Sequence, residues 1–308
     1  MVRKVTNKWW LVIILTVVLL GAAFAGCAQN KTQTQTTSTA KPTPTAKPTA
    51  TQEKAEGYKL VHPGYLTVGM DATYPPFEFI NETTHQFQGF DVDLMKAVAH
   101  EMGLKPKFVN VAWTGIIPGL EAHKYDCICS AMTITAERAK QVYFSRPYFV
   151  ASQVIVVRAN DNRIHSVKDL NGKVVGVQLG TTGEFFAEKL LKEGIKFTLK
   201  KYQTTPDALL DLKNGRLDAV IIDNGVALWM AKKCPEDYKV INERLTHELY
   251  GIAVAKDNPA LLKAINQALN KTIEDGTYAK IYEKWFGAKP DIKLLLNSTV
   301  QEAIQSSP

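Results

Sequence analysis

The chain has 308 residues, 45% of them apolar and 22% charged, with a formal net charge of +7. Three of the positive charges, Arg3, Lys4 and Lys8, lie in the first eight residues, and no Lys/Arg run elsewhere exceeds a pair, which excludes the basic footprint of a nucleic-acid binder.

From the start, a basic stretch is followed by an apolar run from Trp9 through Phe24 and small residues up to Cys27, the layout of a secretory signal. The unbroken apolar part, roughly 15 to 18 residues, is shorter than the ~20 of a spanning helix. Cleavage of residues 1–26 and export are therefore expected. Two cuts compete. Ala23-Phe24-Ala25 fits an ordinary signal-peptidase site, whereas Ala25-Gly26-Cys27 fits the end of a lipobox that would make Cys27 the lipidated first residue, with Phe24 where Leu is usual. The next segment favours the lipobox: residues 27–56 are dominated by Thr, Gln, Pro, Ala and Lys, with no aromatic or branched aliphatic residue to build a core, as expected of a semi-extended, disordered tether.

Roughly 230 residues remain for folding, comfortable for two lobes. Leu66 to Gly69 reads as a short apolar strand and Asp71 to Pro76 as a loop. Asp91 opens a helix with Leu94, Ala97, Val98 and Met102 on one face, and a strand follows over Lys107 to Val111. Thr114 to Ala122 reads as a short helix and Asp126 to Ser130 as a buried strand. A second alternating unit starts at Val154 to Val157 and continues with strand Val174 to Val177 and a helix from about Glu184. It then adds a helix capped by Thr205 with Pro206 first, and strand Ala219 to Ile222. Strand Tyr250 to Ala255 and two helices close the fold, the last with Tyr278, Ile281, Tyr282 and Trp285 on one apolar face. Alternation throughout predicts an α/β class with mostly parallel sheets. Residues 291–308 form a tail with one apolar cluster, to which no role attaches.

Cys127 and Cys129 are two apart in a predicted strand, a poor geometry for a direct bridge, and they read as buried apolar residues, with Cys234 elsewhere. No Cys/His spacing fits a metal, and no cofactor motif is present; a Lys of the phosphate-loop kind does not follow Gly180-Thr181-Thr182-Gly183.

Three features carry chemistry. Arg138 offers a planar fork that matches a carboxylate; read alone, it could equally be a solvated arginine at a helix start. Gly180 to Gly183 lies between a strand and a helix, where free N–H groups bind anions. Asp223 ends a strand, where ligands collect in α/β folds, or else caps the next helix.

Five stretches resemble, in this order, the polar amino-acid family of periplasmic and extracellular solute-binding proteins, the receptors of ABC importers (solute-binding protein family 3). They are Gly69-Met70-Asp71-Ala72-Thr73-Tyr74-Pro75-Pro76-Phe77-Glu78-Phe79, Gly89-Phe90-Asp91-Val92-Asp93-Leu94, Ala131 to Arg138, Gly180-Thr181-Thr182-Gly183 and Tyr278 to Gly287. The resemblance implies a two-lobed periplasmic binding protein type II fold with two hinge-crossing strands near Tyr148 to Val154 and His247 to Gly251. Lobe 1 would be residues 57–150 plus 248–290, and lobe 2 residues 151–247. It implies that Arg138, Thr133 through amide and hydroxyl, and the Thr182 amide hold an amino-acid carboxylate. Asp223 and the Ala131 carbonyl would take the ammonium, with Ser130 beside them.

By the same resemblance, Tyr74 and Trp113 sandwich the ligand side chain and Asp71 reads its tip. Gln178 stands where glutamine-binding relatives place a Lys, which leaves the tip more negative and favours arginine or lysine over glutamine. Glu78 reads as a loop residue facing water. The implied partners are a free L-amino acid, an ABC permease and, through Cys27, the membrane, for a monomer that is exported to the periplasm or cell surface. No catalytic residue is expected. A cyclohexadienyl-dehydratase-like enzyme and a sensor module are the alternatives from other classes.

Overall fold

Residues 57–241 and 244–307 are described by the computed structural model; the leader, Cys27 and the tether lie outside them. The first sheet runs in the order Lys105–Asn110, Tyr65–Met70, Cys127–Ile128, Ala253–Ala255, Val142–Phe144. Its first three strands are parallel and Ala253–Ala255 is antiparallel to both neighbours. The interior strand Tyr65–Met70 is buried from Leu66 onward, as expected of a strand covered on both faces. A Cβ on Gly69 would lie 2.6 Å from the Tyr125 ring, so that ring packs on this strand only with glycine there.

The helix Phe90–Glu101 covers one face, and Pro259–Glu274 and Thr277–Phe286 pack against it. Pro259–Glu274 buries Leu261, Ile265, Leu269 and Ile273 at four-residue spacing, each stabilising by roughly 1.5–3 kcal/mol before entropy. Tyr278 is buried and donates to the Tyr148 carbonyl at 2.6 Å. Trp285 is only half-buried and donates its indole N–H to Asp93 at 2.9 Å.

The second sheet runs Thr198–Tyr202, Val174–Gln178, Ala219–Asp223, Gln153–Arg158, Tyr238–Ile241, with helices Thr182–Lys192, Thr205–Lys213 and Asn224–Lys233 between its strands. The N-cap of Thr205–Lys213 is Thr204, whose hydroxyl accepts the Asp207 N–H at 3.3 Å. Thr205 is the first helical residue, its hydroxyl spent on Gln178 at 2.8 Å, and this corrects the expected cap.

Two strands, Phe149–Ala151 and Glu248–Tyr250, pair antiparallel between the lobes. The strand expected over Tyr250 to Ala255 is therefore two: its start belongs to this hinge ribbon and Ala253–Ala255 to the first sheet. Gly251 lies between them, where a Cβ would meet Ile134 at 2.9 Å. The tail forms helices Ile292–Asn297 and Val300–Ser306. Its Ala303 is buried in the cluster of Ile134, Val142 and Leu249, so it covers the outer side of the hinge strand. Cys127 and Cys129 are buried free thiols that burial pushes well above the usual range, and Cys234 is free and half-buried.

Candidate ligand-binding site

Between the two sheets lies a narrow cleft with about 320 Å³ of atom-free space, solvent at its mouth included. All ten residues singled out in the sequence line it: Asp71, Tyr74, Trp113, Ser130, Ala131, Thr133, Arg138, Gln178, Thr182 and Asp223, together with Glu78 and Thr181. Most of them follow the ends of strands of the two sheets, where ligands collect in α/β folds; Tyr74 lies in a separate short strand, Thr73–Tyr74, and Arg138 and Thr182 lie in first turns of helices.

Arg138 sits in the first turn of the helix Ala136–Gln141, capped by Thr135, whose hydroxyl accepts the Arg138 N–H. Its guanidinium is not solvated. Only 6% of the residue is exposed. Nη1 donates to the Thr133 carbonyl at 2.8 Å, Nη2 to the Gly180 carbonyl of the other lobe at 3.2 Å, and the Trp113 ring centroid lies 5.0 Å from Cζ. Of five donor hydrogens, these two bonds leave others for the cleft. Burial pulls the group down to about 10, opposed by the charges of Glu248 and Asp223, so it stays cationic at neutral pH.

Asp223 is the N-cap residue of Asn224–Lys233, yet its side chain makes no capping bond. It turns into the cleft and accepts from the Tyr74 hydroxyl and the Gln153 amide. Burial, then the nearby Glu248, raise it to about 7. Ala131, at φ 44, occupies the left-handed region, which costs a non-glycine residue roughly 1–2 kcal/mol. The strain is held by the buried Asp91, which accepts the Ala131 N–H at 2.7 Å and the Tyr148 hydroxyl at 2.7 Å. Asp91 is thus a brace beneath the site, and burial raises it to about 6.

At the far end, Asp71 is buried and accepts from Thr73 at 2.8 Å and from the Gln178 amide at 3.0 Å. Its pKa is raised by burial. Gln178 is fixed by Thr205 and by the Gln203 carbonyl. Glu78, expected to face water, is fully buried. The Ser130 hydroxyl donates to its Oε1 at 2.8 Å, and burial, reinforced by Asp91, pushes its pKa well up. Glu78 opens the short strand Glu78–Ile80, next to Phe77, which is buried among Phe90, Phe149 and Tyr250.

In the Gly180 to Gly183 turn the Gly180 N–H is given to Glu184, so anion binding there falls to the amides of the later residues. The Thr133 and Thr182 hydroxyls both donate to Glu248, at 2.7 and 2.8 Å; this fully buried acid was missed in the sequence. Among the described residues no group of three or more His, Cys, Asp or Glu side chains could hold a metal. No helix of the described residues is long and apolar enough to cross a membrane.

Residues 66–288 match the model of bacterial extracellular solute-binding proteins, family 3. The chain belongs to this family. A relative, the ABC transporter arginine-binding protein 1 of Escherichia coli K12, is 39% identical over 72% of this chain and 90% of its own length. Among solved structures, an ancestral arginine-binding protein bound to arginine is 48% identical, with a TM-score of 0.69 over 73% of this chain and 99% of that one, and an ancestral arginine-binding protein bound to glutamine matches with the same identity, TM-score and coverage. An ancestral amino acid-binding protein described as a precursor of cyclohexadienyl dehydratase is 43% identical, with a TM-score of 0.66, over 72% of this chain and 95% of its own.

In this solute-binding protein the lobes meet directly. Besides Arg138, the Trp113 indole donates to the Gly180 carbonyl at 2.9 Å, Gln178 bonds Asp71, and Tyr74 bonds Asp223. The Cβ position of Gly225 in the second lobe is 2.7 Å from the Phe77 ring of the first. The cleft is therefore in a closed arrangement, and the groups that would recognise a solute are also those that bridge the lobes.

Proposed function

We propose that the protein binds a basic amino acid, arginine or lysine, by closure of its two lobes and presents it to the permease of an ABC importer. The observation that carries this reading is the charge of the cleft. One guanidinium, Arg138, shares the cleft with the carboxyl groups of Asp71 and Asp223, with Glu248 behind Thr133 and Thr182, while burial holds Glu78 toward its neutral form. A neutral zwitterion adds one charge of each sign. A ligand with a cationic tip adds one more positive charge, which the Asp71 end accommodates, since an opposite charge there favours its ionised form.

In this reading the ligand carboxylate lies on Arg138 and the amide at Thr182, its ammonium on Asp223 and the Ala131 carbonyl, and its side chain between Tyr74 and Trp113. Arginine-binding relatives support the choice of a basic solute. The remaining steps rest on the sequence: export, anchoring through Cys27, and a monomeric chain with residues 57–150 plus 248–290 as one lobe and 151–247 as the other. The protein is proposed to be a binder and not an enzyme: Asp223 is taken up by the ammonium, Asp71 by the side-chain tip, and Glu78 is bonded to Ser130.

The test is calorimetric titration of the exported domain, unfolded and refolded to remove carried-over solute, with the twenty amino acids, ornithine and citrulline. Tight binding of arginine or lysine is expected. Tighter binding of glutamine would support the second reading, which the glutamine-bound ancestral relative favours. Turnover of prephenate or arogenate to a phenyl product would overturn the binding reading.

A further inference from the structure

Glu248 belongs to none of the three recognition subsites, yet it is fully buried and its oxygens collect three hydroxyl donors. Thr133 and Thr182 donate to Oε2 at 2.7 and 2.8 Å, and Thr246 donates to Oε1 at 2.7 Å. A carboxylate taken out of water needs such partners to offset its desolvation. The origins of the three are unequal. Thr133 is bridged to Tyr250 of the same hinge strand, and its neighbour Ile134 donates to the Leu249 carbonyl at 2.8 Å, so it travels with Glu248. Thr246 lies two residues away on the same crossing and receives the Gln153 N–H at 2.8 Å from the other. Thr182 alone is carried by a second-lobe helix.

Rotation about the hinge ribbon therefore keeps two of these bonds and breaks the third. In the closed arrangement Thr182 Oγ1 stands 3.5 Å from Thr133 Oγ1, and the Gln153 amide donates to it at 3.2 Å. The pair of threonines lies beside Arg138, which bonds the Thr133 carbonyl. Because both hydroxyl protons are committed to Glu248, the ligand carboxylate is left to the guanidinium and backbone N–H groups.

We propose that Glu248 is a positioning residue for closure: by holding the Thr182 hydroxyl of one lobe against Thr133 of the other, it sets the width of the carboxylate subsite and favours the closed state whatever side chain the ligand carries. Its affinity consequence rests on the amino-acid-binding function proposed for the cleft; its effect on the lobes does not. A charge that merely complements a cationic ligand would discriminate between side chains, whereas an inter-lobe bond acts on all ligands alike, since a ligand's apparent affinity scales with the fraction of closed protein.

The experiment compares wild type with Glu248→Ala, Glu248→Gln and Thr182→Val, using small-angle scattering and a fluorophore pair, one on each lobe, without and with ligand, alongside titration with arginine and glutamine. Glu248→Ala and Thr182→Val are each expected to shift the ligand-free population toward open. They should weaken arginine and glutamine by the same factor, about 10- to 100-fold, mainly through faster dissociation. Glu248→Gln, which keeps one acceptor oxygen, should retain part of the closure. The double variant Glu248→Ala/Thr182→Val should be no more open than either single one, because they remove the same bond.

An unchanged lobe-distance distribution, or weakening confined to arginine, would overturn the proposal. Should Glu248→Ala fail to fold, Thr182→Val carries the same comparison. Should wild type bind no amino acid, the transport reading fails while the ligand-free distances still decide the role of Glu248.

Discussion

Replacing Arg138 by Ala removes the only base among the described residues lining the cleft. Arg138 is 6% exposed, and two guanidinium bonds, to Thr133 and Gly180, fix its plane. A ligand carboxylate in the closed cleft would then be a buried charge without its partner, a defect of roughly 3–5 kcal/mol, or about two to nearly four decades in Kd. Arg138→Lys keeps the charge and loses the fork; the loss of one charge-assisted bond, roughly 1.5–3 kcal/mol, predicts about 10- to 100-fold. Titration of refolded protein with arginine measures both, and a melting curve confirms that the variants fold. A fall of less than tenfold for Arg138→Ala in a folded protein would refute the placement of the carboxylate on this residue.

Asp71→Asn should weaken arginine about 10- to 100-fold through loss of a charged partner, roughly 1.5–3 kcal/mol, while glutamine changes less than about threefold; equal losses would show that Asp71 does not read the tip. Gly225→Ala places a Cβ 2.7 Å from the buried Phe77 ring, and overpacking of about 1–3 kcal/mol should hold the lobes apart and weaken all amino acids alike, as scattering and titration would detect. Asp223, raised by burial to about 7, stays protonated in the folded chain where the unfolded chain ionises near pH 4, so this group costs stability increasingly from about pH 4 to 7 and no further above. Since an ammonium needs the ionised form, affinity should fall up to about tenfold per pH unit below about 7, with proton release on binding. Titration in two buffers of different ionisation heat reads this directly, and Asp223→Asn should abolish it.

Periodicity and turn residues were sufficient to find the short buried strands Val174–Gln178 and Ala219–Asp223 and the helices between them, because each signal is local. The acids beneath the site were harder. Glu78 meets Ser130 across 52 residues and Glu248 meets Thr182 across 66, so their burial depends on which loops converge. Nothing local marks Glu78: strand alternation sets an acid between Phe77 and Phe79 on the face opposite to theirs, which reads as solvent. Asp91 looked like an acid favoured at a helix start, but its oxygens serve the Ala131 amide and Tyr148. The split of Tyr250 to Ala255 was hidden because Gly251 interrupts neither the apolar run nor its length. The need for glycine there comes from the Ile134 side chain, distant in sequence, which a Cβ would meet at 2.9 Å.

The inter-lobe bonds also bear on selectivity. In the closed arrangement Asp71 is paired with the Gln178 amide and Asp223 with the Tyr74 hydroxyl, so an arriving solute gains only the difference between its own contacts and those it displaces. At Asp223 an ammonium replaces a neutral hydroxyl partner, a gain common to every amino acid. At Asp71 an amide-tipped solute would exchange one neutral amide for another and gain little, whereas a guanidinium or ammonium exchanges a neutral donor for a charged one, about twice as strong. Selectivity for a basic side chain can thus arise from the contact Asp71 makes with the bound tip, without any group that repels glutamine. The Gln178 bond is given up whichever solute enters, so it lowers the affinity of both and cancels in their ratio. Gln178→Ala should therefore strengthen arginine and glutamine by a similar factor in paired titrations and leave their ratio unchanged. No gain for either solute would show that Asp71 is not released from Gln178 when solute binds.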